Sequence, residues 1–231
     1  MKTPIFKLLV IVLLITSYSC KTEPSINYKF ENNSKTLNCE LENGKLYNEA
    51  VHSFENDIIA FYDKDGKNRI KAYNGFINNT LRNGLKIEEI ASKHSLSIAL
   101  ALKKEAKLWN TSTKETTLNY AHPLVDCIAN NIKTQQLKET FNSLLATNSM
   151  RKNVVLPSLQ GYSRSIPTDG SLISFLAFEY YYPLVSNLKA ENLKTQVVNN
   201  NKVDFNKTPQ KQEIRPEIIE EKDPHAGHNH N

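Results

Sequence analysis

Residues Leu46–Tyr62, LYNEAVHSFENDIIAFY, decide the fold class. Tyr47, Val51, Phe54, Ile58 and Phe61 recur every three or four positions, the spacing that gathers side chains on one face of an α-helix. The run stops at Asp63-Lys64-Asp65-Gly66, a turn signature. Working outward, the same period returns. Asn68–Arg82 sets Ile70, Tyr73, Ile77 and Leu81 on one face, with Gly84 where a helix C-cap glycine belongs. Ile87–Lys93 and Leu96–Trp109 follow as helices. Pro123 then stands at a helix start ahead of Leu124, Cys127, Ile128 and Ile132, and Thr134–Thr147 adds Leu137, Phe141, Leu144 and Leu145. The pattern predicts an all-α domain over residues 38–194, a single bundle of about six to seven helices.

Two stretches depart from the period. Arg151–Gly170 carries Pro157, Gly161, Pro167 and Gly170, and reads as a long ordered loop that shapes a cleft or lies across the bundle. Ser171–Leu188 is apolar on nearly every side, the pattern of a central helix, which Pro183 should kink or end. A strand over Ser174–Tyr182 is the alternative, since a short apolar run does not settle the period. On the flanks the composition turns polar. Residues 20–37 read as a tether and residues 195–231 as a disordered tail.

The first residues read as an export signal. Lys2 and Lys7 precede an apolar run from Leu8 to Ile15, and Thr16-Ser17-Tyr18-Ser19 leads to Cys20. A membrane span needs about 20 apolar residues, more than this run supplies. A Cys directly after such a cut resembles the lipobox of bacterial lipoproteins. Together with the Asn- and Lys-rich make-up, it resembles the outer-membrane lipoproteins of Bacteroidetes, of flavobacterial type and uncharacterised. The resemblance implies a signal peptide over residues 1–19 and a diacylated Cys20 as the new N-terminus. It also implies a lipid-anchored outer-membrane location, with Lys21 after the Cys favouring that membrane and either periplasmic or surface orientation open. Cleavage by the ordinary secretory peptidase is the alternative. More than one acyl chain would anchor stably, where a single one would not.

If Cys20 carries lipid, Cys39 and Cys127 remain as a pair, and an oxidising envelope permits a disulfide between them. Two separate thiols, with Cys127 on the apolar side of its helix, are the alternative. The formal charge of +5 falls to +3 when Lys2 and Lys7 leave with the signal, 27 basic residues then facing 24 acidic ones. That balance gives no argument for nucleic acid as a partner.

Candidate chemistry is sparse. The end of the chain, Asp223-Pro224-His225-Ala226-Gly227-His228-Asn229-His230-Asn231, places three imidazoles close together. His225, His228 and His230 on a flexible segment suit weak capture of Cu²⁺, Zn²⁺ or Ni²⁺. Glu49-Ala50-Val51-His52, with Glu55 beyond it, has the spacing of a carboxylate metal site but lacks the second copy such a site needs. Glu49 also points away from the apolar stripe, so it and His52 read as surface residues. Ile87–Ser97 resembles the start of a helix-turn-helix, but Ile98-Ala99-Leu100-Ala101-Leu102 is poor material for touching bases. Asp63–Gly66 would need Phe61 as the first ligand of a calcium loop, and so reads as a turn. His94 and His122 read as loop or cap residues. No Gly-rich phosphate loop, Gly-x-Ser-x-Gly or His-Glu-x-x-His occurs.

The reading that follows is a lipid-anchored envelope protein acting as a non-catalytic binding or scaffolding module, with an envelope protein as partner and no resident cofactor. Metal capture by the tail is the first alternative. An enzyme whose groups converge from distant positions is the second.

Overall fold

The computed structural model describes residues 26–105, 107–110 and 116–194. The signal, Cys20 and the His-rich end lie outside the described residues. The architecture is all-α apart from one short ribbon. Helices α1 (Gly44–Tyr62) and α2 (Arg69–Leu81) pack side by side, followed by the short α3 (Ile87–Ile90) and α4 (Lys93–Leu102). Strands β1 (Trp109–Asn110) and β2 (Thr117–Leu118) pair antiparallel, Trp109 opposite Leu118. Then come α5 (Pro123–Asn131), α6 (Gln135–Ala146), α7 (Lys152–Gly161), α8 (Gly170–Leu176), a π-helical turn (Ala177–Tyr181) and α9 (Tyr182–Val185). None of the described helices is long and apolar enough to cross a membrane.

Helix α1 is the axis. Tyr47, Val51, Phe54 and Ile58 are buried as the period predicts, but so are Glu49, Ser53 and Asp57 at four-residue intervals on another face. The helix is therefore covered on almost every side. The second axial element is the run from α8 through α9, where Phe175, Leu176, Phe178, Tyr181 and Tyr182 are buried. It is helical, not a strand. Pro183 does not stop it: the Tyr182 N–H bonds the Ala177 carbonyl five residues back, and Pro183 falls in the first turn of α9, where its missing N–H is tolerated. Aromatic edges knit the two axes, with Phe54 5.1 Å from Tyr181 and Tyr47 5.5 Å from Phe178.

Several boundaries differ from the sequence reading. Arg151–Gly170 is not a loop throughout: α7 runs through Pro157 because Val155, Leu156 and Leu159 are buried while the proline faces solvent. Trp109 belongs to the ribbon, not to the end of a helix, because α4 stops at Leu102. The left-handed residue that ends α2 is Asn83 (φ 55°), not Gly84, whose N–H instead reaches back to the Asn79 carbonyl. Asn148 (φ 52°) ends α6 in the same way, with the Ser149 N–H bonding Leu144. Residues 26–37, read as part of the tether, lie against the helices: Leu37 is buried and Ile26 packs on the core.

Candidate functional site

The segment from residue 26 to residue 41 forms an arm across the head of α1. Glu49, at the centre, is 1% exposed. Its Oε1 accepts from the Lys29 N–H at 2.6 Å and lies 2.7 Å from His94 Nε2, while Oε2 accepts from the Phe30 N–H at 2.9 Å. The Phe30 ring lies 5.8 Å from the ring of His52 and 6.0 Å from that of His94. His52 Nε2 must donate to the Ser34 carbonyl at 2.9 Å, because a carbonyl only accepts. Further along, Asn48 Oδ1 accepts from the Thr36 N–H at 2.9 Å. The reading of Glu49 and His52 as surface residues is therefore corrected. Glu49 is a buried clamp because the arm folds over a face that the apolar stripe leaves polar, and His52 is half-buried beneath the same arm.

At its far end the arm is fastened covalently. Cys39 and Cys127 form a disulfide with their Cα atoms 6.0 Å apart, tying the arm to α5. Asn131 Nδ2 sits 3.2 Å from Cys39 Sγ.

Two clefts open on either side of Leu41 and Tyr47. The first, about 490 Å³, lies between arm and α1 and is lined by Lys35, Thr36, Leu37, Lys45 and Asn48 among others. Across it Lys45 pairs with Glu31 at 2.7 Å and lies over the Tyr28 ring at 4.3 Å. The second, about 320 Å³, is lined by Asn43, Tyr47, Lys104, Glu105, His122 and Pro123. Glu105 Oε2 accepts from Asn43 Nδ2 and, at 3.4 Å, from the Tyr47 hydroxyl. Burial, reinforced by the Glu105 charge, pushes the Tyr47 phenol up to about 12, so it remains a donor. His122 caps α5: its Nδ1 accepts from the Leu124 N–H at 3.1 Å. That bond places the hydrogen of the neutral ring on Nε2, and burial holds the imidazole below its ordinary value. The expectation of His122 as a cap residue matches this geometry. The arrangement supplies donors, acceptors and aromatic walls. It does not set a nucleophile against a base, because the basic nitrogen of His122 is occupied by the helix.

Two more polar networks lie deep in the fold. Asp57 Oδ2 accepts from the Ser92 N–H (2.9 Å), the Ser95 hydroxyl (2.7 Å) and the Tyr181 hydroxyl (2.5 Å). Burial raises the Asp57 carboxyl against these donors. On the π-turn, Glu179 Oε1 accepts from the Tyr120 hydroxyl at 2.9 Å, while Glu179 Oε2 and the Tyr180 hydroxyl are buried without a partner. Burial pushes the Glu179 carboxyl up to about 8, with the Tyr120 bond acting in the opposite direction.

Of the residues singled out from sequence, Cys39 and Cys127 meet. Cys20, His225, His228 and His230 lie outside the described residues. Among the described residues no group of three or more His, Cys, Asp or Glu is assembled to hold a metal. The sequence reading passed over Asp57, Glu105, Tyr120 and Glu179. The four-residue spacing of Glu49, Ser53 and Asp57 was a usable signal for the first. The others converge from distant segments and left none. No protein-family model, no curated protein and no solved structure matches the chain.

Proposed function

We propose that the chain is a lipid-anchored protein of the cell envelope, held at the outer membrane through Cys20, that acts as a non-catalytic binding or scaffolding module. The pair of adjoining clefts around Leu41 and Tyr47 carries this reading. A disulfide and a buried carboxylate hold the arm that walls them, so the binding surface is preorganised and loses little freedom on engagement. The mixed lining of Lys35, Lys45, Glu105 and Tyr47 suits an envelope protein segment with both polar and aromatic contacts. The test is photo-crosslinking in cells. A probe replacing exposed Lys45 should give a discrete adduct, and a probe replacing exposed Gln136 on α6 should not. Equal labelling from both positions, or none from Lys45, overturns the reading.

The spacing of His225, His228 and His230 favours a second reading, metal capture or delivery by the tail. Calorimetric titration of Cu²⁺, Zn²⁺ and Ni²⁺ into residues 21–231 and into a truncation ending at Lys222 tests it. Binding confined to the longer chain supports capture, and equal or absent binding rejects it.

A further inference from the structure

Leu100 is the most exposed large apolar side chain among the described residues, at 51%, in a helix that buries Leu96, Ile98 and Leu102. Along α4 the side chains of Lys93, Ser97 and Leu100 fall on one outward line, and all three are exposed. Lys103 and Lys107 follow at the end of the helix, exposed as well, and α4 itself holds no carboxylate. Helix α9 packs against α4 and adds Leu184, 41% exposed. An exposed leucine alone is ordinary. This one lies between lysines, on the flank where the chain from Cys20 arrives. The Lys29 N–H and His94 Nε2 meet the same Glu49 oxygen, at 2.6 and 2.7 Å, so the arm enters beside the first turn of α4. Ile26, the first described residue, already packs on the core, six residue steps from Cys20.

We propose that the outer face of α4, from Lys29 and Lys93 across Leu100 to Lys103, rests on an anionic phospholipid surface and thereby orients the domain. This placement rests on the anchored reading, because the lipid on Cys20 is what brings a bilayer within reach. The face orients and does not hold. A few lysines and leucines attract a bilayer weakly, enough only for a domain that an anchor already keeps there.

Charge and shape both fit that occupant. Lys29, Lys93, Lys103 and Lys107 are exposed and carry their ammonium groups on flexible stems, which suits phosphodiester headgroups while Leu100 reaches the acyl boundary. The flanking carboxylates are turned to other partners. Glu49 is held beneath the arm, Glu105 bonds Asn43 and Tyr47 in the second cleft, and Glu89 on α3 pairs with Lys194 at 3.0 Å. Glu88 is half-buried on α3. Two leucines make a poor apolar centre for a stable protein interface, whereas a lipid surface needs no such centre.

Cys39 and Cys127 are bonded to each other, so Cys20 is the thiol left for coupling in the chain 20–231. In the test that chain is joined through Cys20 to maleimide-bearing lipid in phosphatidylcholine vesicles, with or without phosphatidylglycerol. Its lysines are then acylated and mapped by mass spectrometry. On anionic vesicles at low salt Lys93 and Lys103 should react several-fold more slowly than on neutral ones, with exposed Lys71 on α2 unchanged. Leu100→Glu should abolish that protection, and Val154→Glu, at an exposed position of α7, should keep it. Equal rates on both vesicles, or protection shared by Lys71, overturn the proposal. Protection that appears on neutral vesicles and grows with coupling density assigns the face to a second copy, which overturns it too. If Leu100→Glu does not fold, the comparison of the two vesicles decides. The coupling supplies the anchor chemically, so a Cys20 left without lipid in cells would defeat the anchored reading without changing these rates.

Discussion

Asp57 is the residue whose loss should be felt most. Three donors converge on one of its oxygens, and Ser95 uses its only hydroxyl hydrogen there. Ser53 must therefore be the donor in its 2.6 Å bond to Ser95. Asp57→Ala strands buried donors from α4 and the π-turn at once, and the expected loss is about 3 kcal/mol, measured as a lowered urea midpoint. The pH dependence has a definite sign. Asp57 and Glu179 both have carboxyls raised on folding, so the native state holds protons that the unfolded chain has released. Stability from Glu179 is complete below about 4.5 and falls as pH rises to about 8. His122, depressed on folding, acts in the opposite sense below 6.5. Between about pH 7 and about pH 9 Glu179 acts without it, so the urea midpoint should fall across that window. Glu179→Gln should flatten most of the fall, and a midpoint that rises with pH would contradict the assignment. Asp57 was partly legible, since Glu49, Ser53 and Asp57 share a helix face. Glu179 was not: it lies in a run read for its apolar residues, and its partner Tyr120 is 59 positions away.

At the scale of elements, the arm is held by few contacts, each of them checkable. Gly170 opens α8 against the Thr36 carbonyl, and a Cβ there would overlap the Thr36 backbone. Gly170→Ala should push the arm off at a cost of about 1–3 kcal/mol. The readout is faster hydrogen exchange at the Lys29 and Phe30 amides, the two donors to Glu49. Gly161→Ala, at the end of α7, meets nothing within 4 Å and should leave those amides protected. The Cys39–Cys127 bond closes a separation of 88 residues, and replacing both by Ser should lower stability by about 4–5 kcal/mol in the chain-entropy picture. Helices α1, α2 and α6 were readable because most positions of their apolar stripes are buried or packed on the core, although Ile70, placed on the α2 stripe, is exposed. The α7 helix was hidden by Pro157, whose propensity argument is outweighed by the burial of Val155, Leu156 and Leu159. The ribbon was hidden because its two-residue strands are too short to show alternation.

For the whole molecule, the arm decides how an anchor would present the domain. Residues 31–35 are exposed and polar, and their composition reads as a tether. What docks the arm instead is largely main chain: the N–H groups of Lys29, Phe30 and Thr36 bond to Glu49 and Asn48. Such groups are present in every residue, so composition does not reveal them. With lipid on Cys20, nine residue steps lead from the anchor to the first clamped amide at Lys29. Fully extended, they reach about 30 Å, well short of what a free tether through Leu37 would allow. An anchored domain would therefore stay close to the bilayer, and a partner would meet the clefts there. Cys20→Ser should move the protein from the membrane to the soluble fraction and abolish metabolic labelling with palmitate. Inserting a Gly/Ser linker of about 20 residues after Cys20 should keep both labelling and membrane location. It should, however, lower the yield of the Lys45 crosslink if the partner is itself membrane-bound. A Cys20→Ser protein that stays on the membrane would instead require attachment through the folded surface, and the anchor would cease to explain its location.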